Sequence, residues 1–470
     1  MSFVSPEFGL LCLVFFPLYW SLRKSASAQQ SLLIVSGFAL YASWAPEFAL
    51  LLATYSVLVW SLGAWMRARE VRGLPVSLPW LLGLWGAGLF LLTVKYYEFV
   101  RATVQTLIGA MGMPSFLPLV DVVAPVGVSF FTFQAITYLI WVGQAPARAR
   151  SLKDVLLFLS FWPTLFAGPI LRAAAFFGQI DAARPGQPRK AMSALYMIML
   201  GLIQKMLLSS WLAEQWVDPV FRIPEQASGL VLLSGMVAYS LQIFLDFGGY
   251  TLIVTGLGLL LGYELPVNFR QPYLARNLQD FWSRWHVSLS SFIRDYIYIP
   301  MGGSRQGWWR TQANVMTGML VSGLWHGANW TFIVWGLLHG LGVVALHAMR
   351  RWDLPAWPLP LARLATFLFV TLAWVFFRAD SLEQAGSLLQ GLFSSPTPWW
   401  DGQGKPLAQL ILLLVAFWAL SLHARPWQAG TLLAMRKLGW LGSCMLLGLA
   451  LYLVIAWGPD GVPGFIYYRF

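Results

Sequence analysis

Between Thr311 and Met349 the chain runs for 39 residues without one Asp, Glu, Lys or Arg. No soluble domain needs such a stretch. Runs of about 18 or more apolar residues with few charges read as membrane-crossing helices. Further candidate runs are 6–22, 31–46, 48–66, 78–97, 122–142, 191–211, 228–247, 361–378, 407–423 and 439–457. The 311–349 stretch is expected to form a hairpin. Two shorter runs, 155–170 and 250–262, look too short to cross and are expected to be re-entrant or interfacial. Charged residues make up 11% of the chain, against about 25% for a soluble domain.

The net charge is +12. Nucleic-acid binding needs a basic domain or stripe. Here the basic residues sit in short gaps between apolar runs, so that class is excluded. Arg23 and Lys24, the group Arg67, Arg69 and Arg72, the segment from Arg270 to Arg310, and the pair Arg350 and Arg351 fall in alternate loops, joined by Arg184 and Arg189. The positive-inside rule assigns these loops to the cytoplasm. Both ends of the chain are then expected outside. The first run lacks a preceding basic region and a following cleavage site, so it is expected to be a retained span. The expectation is one integral-membrane domain over 1–470. Cys12 and Cys444 lie inside apolar runs and form no metal-ligand or disulfide pattern; no metal site and no bound cofactor is expected.

The most polar region is Asn268 to Arg310. Trp282, Trp285, Leu289, Phe292 and Tyr296 recur at spacings of three and four, which predicts one amphipathic helix. Asp280, Arg284, Ser288, Ser291 and Arg294 fall on its other side, with His286 on the flank. Read alone, this is an interfacial helix with a solvated charged face. A second region, GLWHGANWTFIVWGLLHG (323–340), carries no formal charge but holds His326, Asn329 and His339. Residues 311–325 make at most about 22 Å of helix at 1.5 Å per residue, less than the hydrocarbon thickness of about 30 Å. That places His326 at membrane depth, where an ionisable group marks a functional site or a packing hydrogen bond between helices. His339 reads as packing, and His347 and His423 as interface residues.

Two histidines suit acyl transfer. A hydroxyl is a poor nucleophile at neutral pH, and a positioned imidazole that takes its proton speeds attack on an acyl carbonyl by about 10²–10⁴-fold. A neutral imidazole also tolerates low dielectric better than a carboxylate. There is no serine nucleophile elbow, zinc-binding helix or phosphate-binding glycine loop.

The string DFWSRWHVSLSSFIRDYIYIPMGGS (280–304) resembles a signature of the membrane-bound O-acyltransferase family, closest to its alginate- and cellulose-acetylating branch. GLWHGANWTFIVWGLLHG (323–340) resembles the family's histidine segment. PVGVSFFTFQAITY (125–138), FWPTLFAGPILR (161–172), LDFGGYTLIVTGLGLLLGYELPVNF (245–269) and PGFIYYRF (463–470) extend the likeness in order from about 120 to 470. The resemblance implies an all-α polytopic membrane protein, with roughly 11 spans plus re-entrant and interfacial helices around a central funnel. It implies His326 as the essential histidine and His286 as its partner, with Trp325, Asn329, Trp285, Asp280, Arg284 and Arg294 shaping the site. It further implies acetyl-CoA as donor, a bacterial inner-membrane location, and O-acetylation of an exported polysaccharide. The implied partners are an SGNH-hydrolase-like acetyltransferase, an exopolysaccharide export complex and membrane lipid. Leu139-Ile140-Trp141-Val142-Gly143 and Leu252 depart from the alginate-type pattern and leave the polymer open. Two other classes compete: a polysaccharide-precursor transporter, with Lys205 and Asp246 as path residues, and a non-catalytic subunit of an export complex.

Overall fold

A computed structural model describes residues 3–112, 118, 124–182, 190–394 and 404–458. The closing string 463–470, Arg184 and Arg189 lie outside the described residues. All regular elements among the described residues are helices. Seven of them are long and apolar enough to cross a membrane: Pro46–Val71, Ser77–Lys95, Ala191–Arg222, Gly229–Leu260, Trp330–Arg351, Leu359–Arg378 and Pro426–Trp457. The protein is therefore a multi-pass membrane protein. The number is below the expected eleven because several runs make short helices, such as Pro6–Ser21 and Val128–Gln144. Large apolar side chains such as Leu13, Trp85 and Ile455 point outward, as a lipid-facing surface requires.

The described chain falls into two compact units. The first comprises Met1–Ala191 with Leu257–Pro266. Its helices are α1 (Pro6–Ser21), α2 (Ala26–Ala42), α3 (Pro46–Val71), α4 (Ser77–Lys95), α5 (Tyr97–Ala110), α6 (Val128–Gln144), α7 (Leu152–Leu159), α8 (Trp162–Leu165) and α9 (Ala173–Asp181). Sequence sets their starts. Ser5, Ser25 and Ser151 accept hydrogen bonds from Phe8, Ala28 and Asp154 N–H groups, satisfying donors that a helix leaves open. The apolar run 155–170 folds as α7, α8 and a following turn, nearly all of it buried. The helix breaks at Ser160–Phe161, Pro163 sits in the first turn of α8, and Gly168 (φ 118°) follows in the turn beyond it. Protein covers the irregular backbone, the condition under which it is tolerated at depth.

The second unit comprises Met192–Gly256 and Val267–Phe470. It contains α10 (Ala191–Arg222), α11 (Gly229–Leu260), α12 (Leu278–Trp282), α13 (Val287–Ile293), α14 (Trp308–His326), α15 (Trp330–Arg351), α16 (Leu359–Arg378), α17 (Leu382–Ser394) and the helical stretch α18 (Gly404–Trp457), which is kinked at the non-helical Gly439. Two expectations are corrected. Residues 250–262 are no separate short element: up to Leu260 they continue α11, which runs 32 residues. Gly249 does not break that helix; it allows close crossing, since a methyl there would lie 2.8 Å from the Gly201 carbonyl oxygen. The predicted single amphipathic helix over 280–296 is broken. α12 ends at Trp282, α13 starts at Val287, and a π-helical turn covers Arg294–Tyr298. Most of its apolar stripe is core, with Trp282, Trp285, Leu289 and Phe292 buried and Tyr296 half-buried, so the interfacial-helix reading falls. Helical periodicity could not show the break because His286 itself makes it.

Candidate active site

The site grows from two short devices in the second unit. In the first, residues 268–270 run beside 284–287. Arg270 N–H donates to the Arg284 carbonyl at 2.9 Å, and Val287 N–H donates to the Asn268 carbonyl at 2.9 Å. Between these bonds the chain must turn into α13, and His286 takes the left-handed conformation (φ 42°, ψ 53°). A non-glycine residue there is uncommon and costs energy that the surroundings must supply. The strain turns the imidazole inward. Its ring is fully buried against Phe247 at 4.8 Å and Trp325 at 5.5 Å between ring centroids. Nδ1 lies 3.2 Å from Asn268 Oδ1.

In the second device, α14 and α15 form the predicted hairpin, with His326 as the last residue of α14. Glycine permits its closeness: a methyl on Gly336 would lie 2.6 Å from the Met319 carbonyl oxygen, and one on Gly323 would collide with the Phe332 carbonyl. The turn is fixed by Asn329. Its Oδ1 accepts from Thr331 N–H at 3.0 Å and its Nδ2 donates to the Asp380 carbonyl at 3.1 Å. His326 is 2% exposed and is enclosed by Trp325, Trp335 and Phe377, with centroids at 5.0, 5.1 and 4.9 Å.

The two devices bring the histidines together. His286 and His326, 40 positions apart in sequence, have ring centroids 6.3 Å apart. The two imidazoles share one buried compartment, and proximity of this kind is where a search for a general base begins. Trp325 touches both rings.

The other expected site residues stand further out. Trp285 is buried on Phe269, Phe281 and Trp374, in the wall behind His286. Asp280 and Arg284 form an ion pair at 2.6 Å, and Arg284 also donates to the Arg270 carbonyl at 3.3 Å. They clamp the strand-like pairing that presents His286. Arg294 is exposed and pairs with Asp295 at 2.7 Å. His339 is buried among Phe281, Trp282, Trp335 and Phe369, His347 bonds to Gln312 Oε1 at 3.0 Å, and His423 donates to the Ala419 carbonyl. Lys205 and Asp246 pair with each other at 2.5 Å. Sequence reading missed Asn268, Phe247, Trp335 and Phe377. Only Asn268 carried a signal, as a lone amide in the apolar string LPVNF.

Fold and site together define an all-helical, multi-pass membrane protein with a buried imidazole pair. Residues 37–383 match the model of the MBOAT, membrane-bound O-acyltransferase family, and the chain belongs to that family. It is accordingly an acyltransferase. It is similar to a probable alginate O-acetylase of Pseudomonas aeruginosa, at 35% identity over 84% of this chain and 76% of the relative. It is also similar to a peptidoglycan O-acetyltransferase of Helicobacter pylori, at 36% identity over 57% of each chain. Likeness to a teichoic acid D-alanyltransferase of Streptococcus thermophilus is lower, at 30% identity over 48% of this chain and 57% of the relative.

Proposed function

We propose that this protein is an O-acetyltransferase of the bacterial inner membrane that passes acetyl groups from cytoplasmic acetyl-CoA toward an exported polysaccharide of alginate or cellulose type. The observation that carries this reading is the buried pair His286 and His326 at 6.3 Å. His326 acts as the base. It takes the proton of an attacking hydroxyl as the oxygen bonds to the acetyl carbonyl carbon and the carbon–sulfur bond of the thioester breaks. The proton then passes to the departing thiolate. His286 orients one of the two reactants, and Trp325 closes the space beside both rings. The names of the alginate and peptidoglycan relatives support acetyl as the group and a cell-surface glycan as its destination. An SGNH-hydrolase-like partner within an exopolysaccharide export complex is the acceptor or the final transferase. The six arginines between 270 and 310 suit the phosphates of the donor.

The test is the acetyl content of secreted polysaccharide in cells making wild type or His326→Ala, at matched membrane levels. Loss of ester with normal polymer yield is expected. Unchanged acetylation overturns the role of His326, and lost export with intact acetylation points to a transporter.

A further inference from the structure

The amide of Asn268 lies against Nδ1 of His286. Three groups meet one oxygen: the Ser288 backbone N–H at 3.2 Å, the Ser288 hydroxyl at 2.8 Å and His286 Nδ1 at 3.2 Å all lie on Asn268 Oδ1. An amide side chain can be turned end for end, so its oxygen must be located by a partner of fixed character. The Ser288 backbone N–H is such a partner because it can only donate. The atom facing it, and hence facing His286, is the oxygen. The Ser288 hydroxyl lies 3.5 Å from Nδ1 and has one proton, directed at Asn268. Nδ1 therefore faces acceptors, and a bond to them requires that Nδ1 carry the hydrogen. In a neutral ring Nε2 then bears the lone pair.

We propose that Asn268 is a positioning residue that holds His286 as its Nδ1–H tautomer, leaving Nε2 to accept a hydrogen bond from the hydroxyl of the acyl acceptor as it arrives, before that proton passes to His326. This rests on the reading of His286 and His326 as the reacting pair, and it settles which reactant His286 orients. A thioester carbonyl offers only lone pairs and needs a donor. A hydroxyl offers a proton and needs an acceptor. The tautomer matches the hydroxyl and mismatches the carbonyl. An Asp in place of Asn268 would favour imidazolium; the neutral amide fixes the ring without that charge. The left-handed backbone at His286 serves the same end, because the bond from Val287 N–H to the Asn268 carbonyl holds the two residues in register.

The experiment is nitrogen-15 NMR of the full-length protein in lipid vesicles, labelled at histidine. The chain has five histidines, and His286→Gln assigns the signal. Wild type is expected to show a protonated Nδ1 and a bare Nε2. In Asn268→Ala the preference is expected to be lost, with acyl transfer falling by about 10²-fold. Asn268→Asp keeps the oxygen and is expected to keep Nδ1 protonated. A wild-type ring protonated only at Nε2 overturns the proposal, whether or not the variants fold. An Asn268→Ala ring still wholly Nδ1–H overturns the role of Asn268. A Nδ1–H wild type in which His286→Gln transfers acyl groups at the full rate overturns the assignment of Nε2 to the hydroxyl, while acetylation lost in His326→Ala keeps the function itself standing.

Discussion

Gly336 lies against the backbone of Met319: a methyl group on Gly336 would stand 2.6 Å from the Met319 carbonyl oxygen and 3.3 Å from the Leu320 Cα. Backbone atoms cannot swing aside as a side chain does. Gly336→Ala is expected to push α15 off α14 and to cost about 1–3 kcal/mol through overpacking. Thermal unfolding in detergent micelles measures this. Because His326 ends the first helix of this hairpin, acyl transfer is expected to fall more steeply than the Tm shift alone predicts. An unshifted Tm with full activity would show that the hairpin is not held this tightly.

Asn329 acts through the turn rather than on the substrate. Its Oδ1 caps α15 and its Nδ2 ties the turn to the Asp380 carbonyl. Removing a cap of this kind costs about 1 kcal/mol. Asn329→Ala should therefore lower Tm and activity together. Asn329→Asp, which keeps the accepting oxygen and loses only the bond to Asp380, should recover most of the stability. Equal losses in the two variants would contradict this division.

Asp280 gives a pH dependence with a definite sign. Partial burial pushes its carboxyl up, but the hydrogen bond from Arg284, the Arg276 N–H and the two guanidinium charges outweigh burial, and the net shift is downward. A carboxyl whose folded value lies below the unfolded value of about 3.9 contributes stability that is complete above that value and is lost as pH falls through the folded one. Melting curves of wild type and Asp280→Asn should differ by a constant amount at neutral pH and converge below about pH 4. A gap that widens on acidification would mean the carboxyl is not held by these partners.

Lys205 and Asp246 are buried and paired at 2.5 Å. Removing one partner leaves an uncompensated charge and costs about 3–5 kcal/mol, whereas replacing both by apolar residues of similar size is often neutral. Lys205→Met is expected to abolish accumulation of folded protein, and Lys205→Met combined with Asp246→Leu to restore much of it. Fluorescence-detected size-exclusion profiles distinguish the two. A double variant that folds and still acylates would also remove these residues from any transport path.

The membrane class was legible because it rests on composition: long uncharged runs have few other fates. The α14–α15 hairpin was legible for the same reason, and His326 stood out as an ionisable group inside it. His286 was visible as a residue but its setting was not. The 3.6-residue period carried the predicted helix straight through 286, where backbone pairing with 268–270 breaks it. Such pairing between segments 18 positions apart leaves no periodic trace. Arg294 entered with the signature string 280–304, and spacing alone did not show that it stands outward beside Asp295. Phe377 reaches His326 from a different helix, and nothing near it in sequence marks that role.

The three-residue turn 327–329 between α14 and α15 also bears on how the protein is made. Three of the rings around His326, those of Trp325, Phe332 and Trp335, lie within nine positions of it. Contacts this local form early and quickly. His286 instead needs Asn268, Phe247 and Trp325, drawn from three separate segments. Closing of the hairpin thus brings three rings to His326, and Phe377 of α16 completes its enclosure later. Both imidazoles therefore reach their final settings only when segments made at different times have met, so competence for acyl transfer is expected to follow tertiary assembly and not hairpin closure.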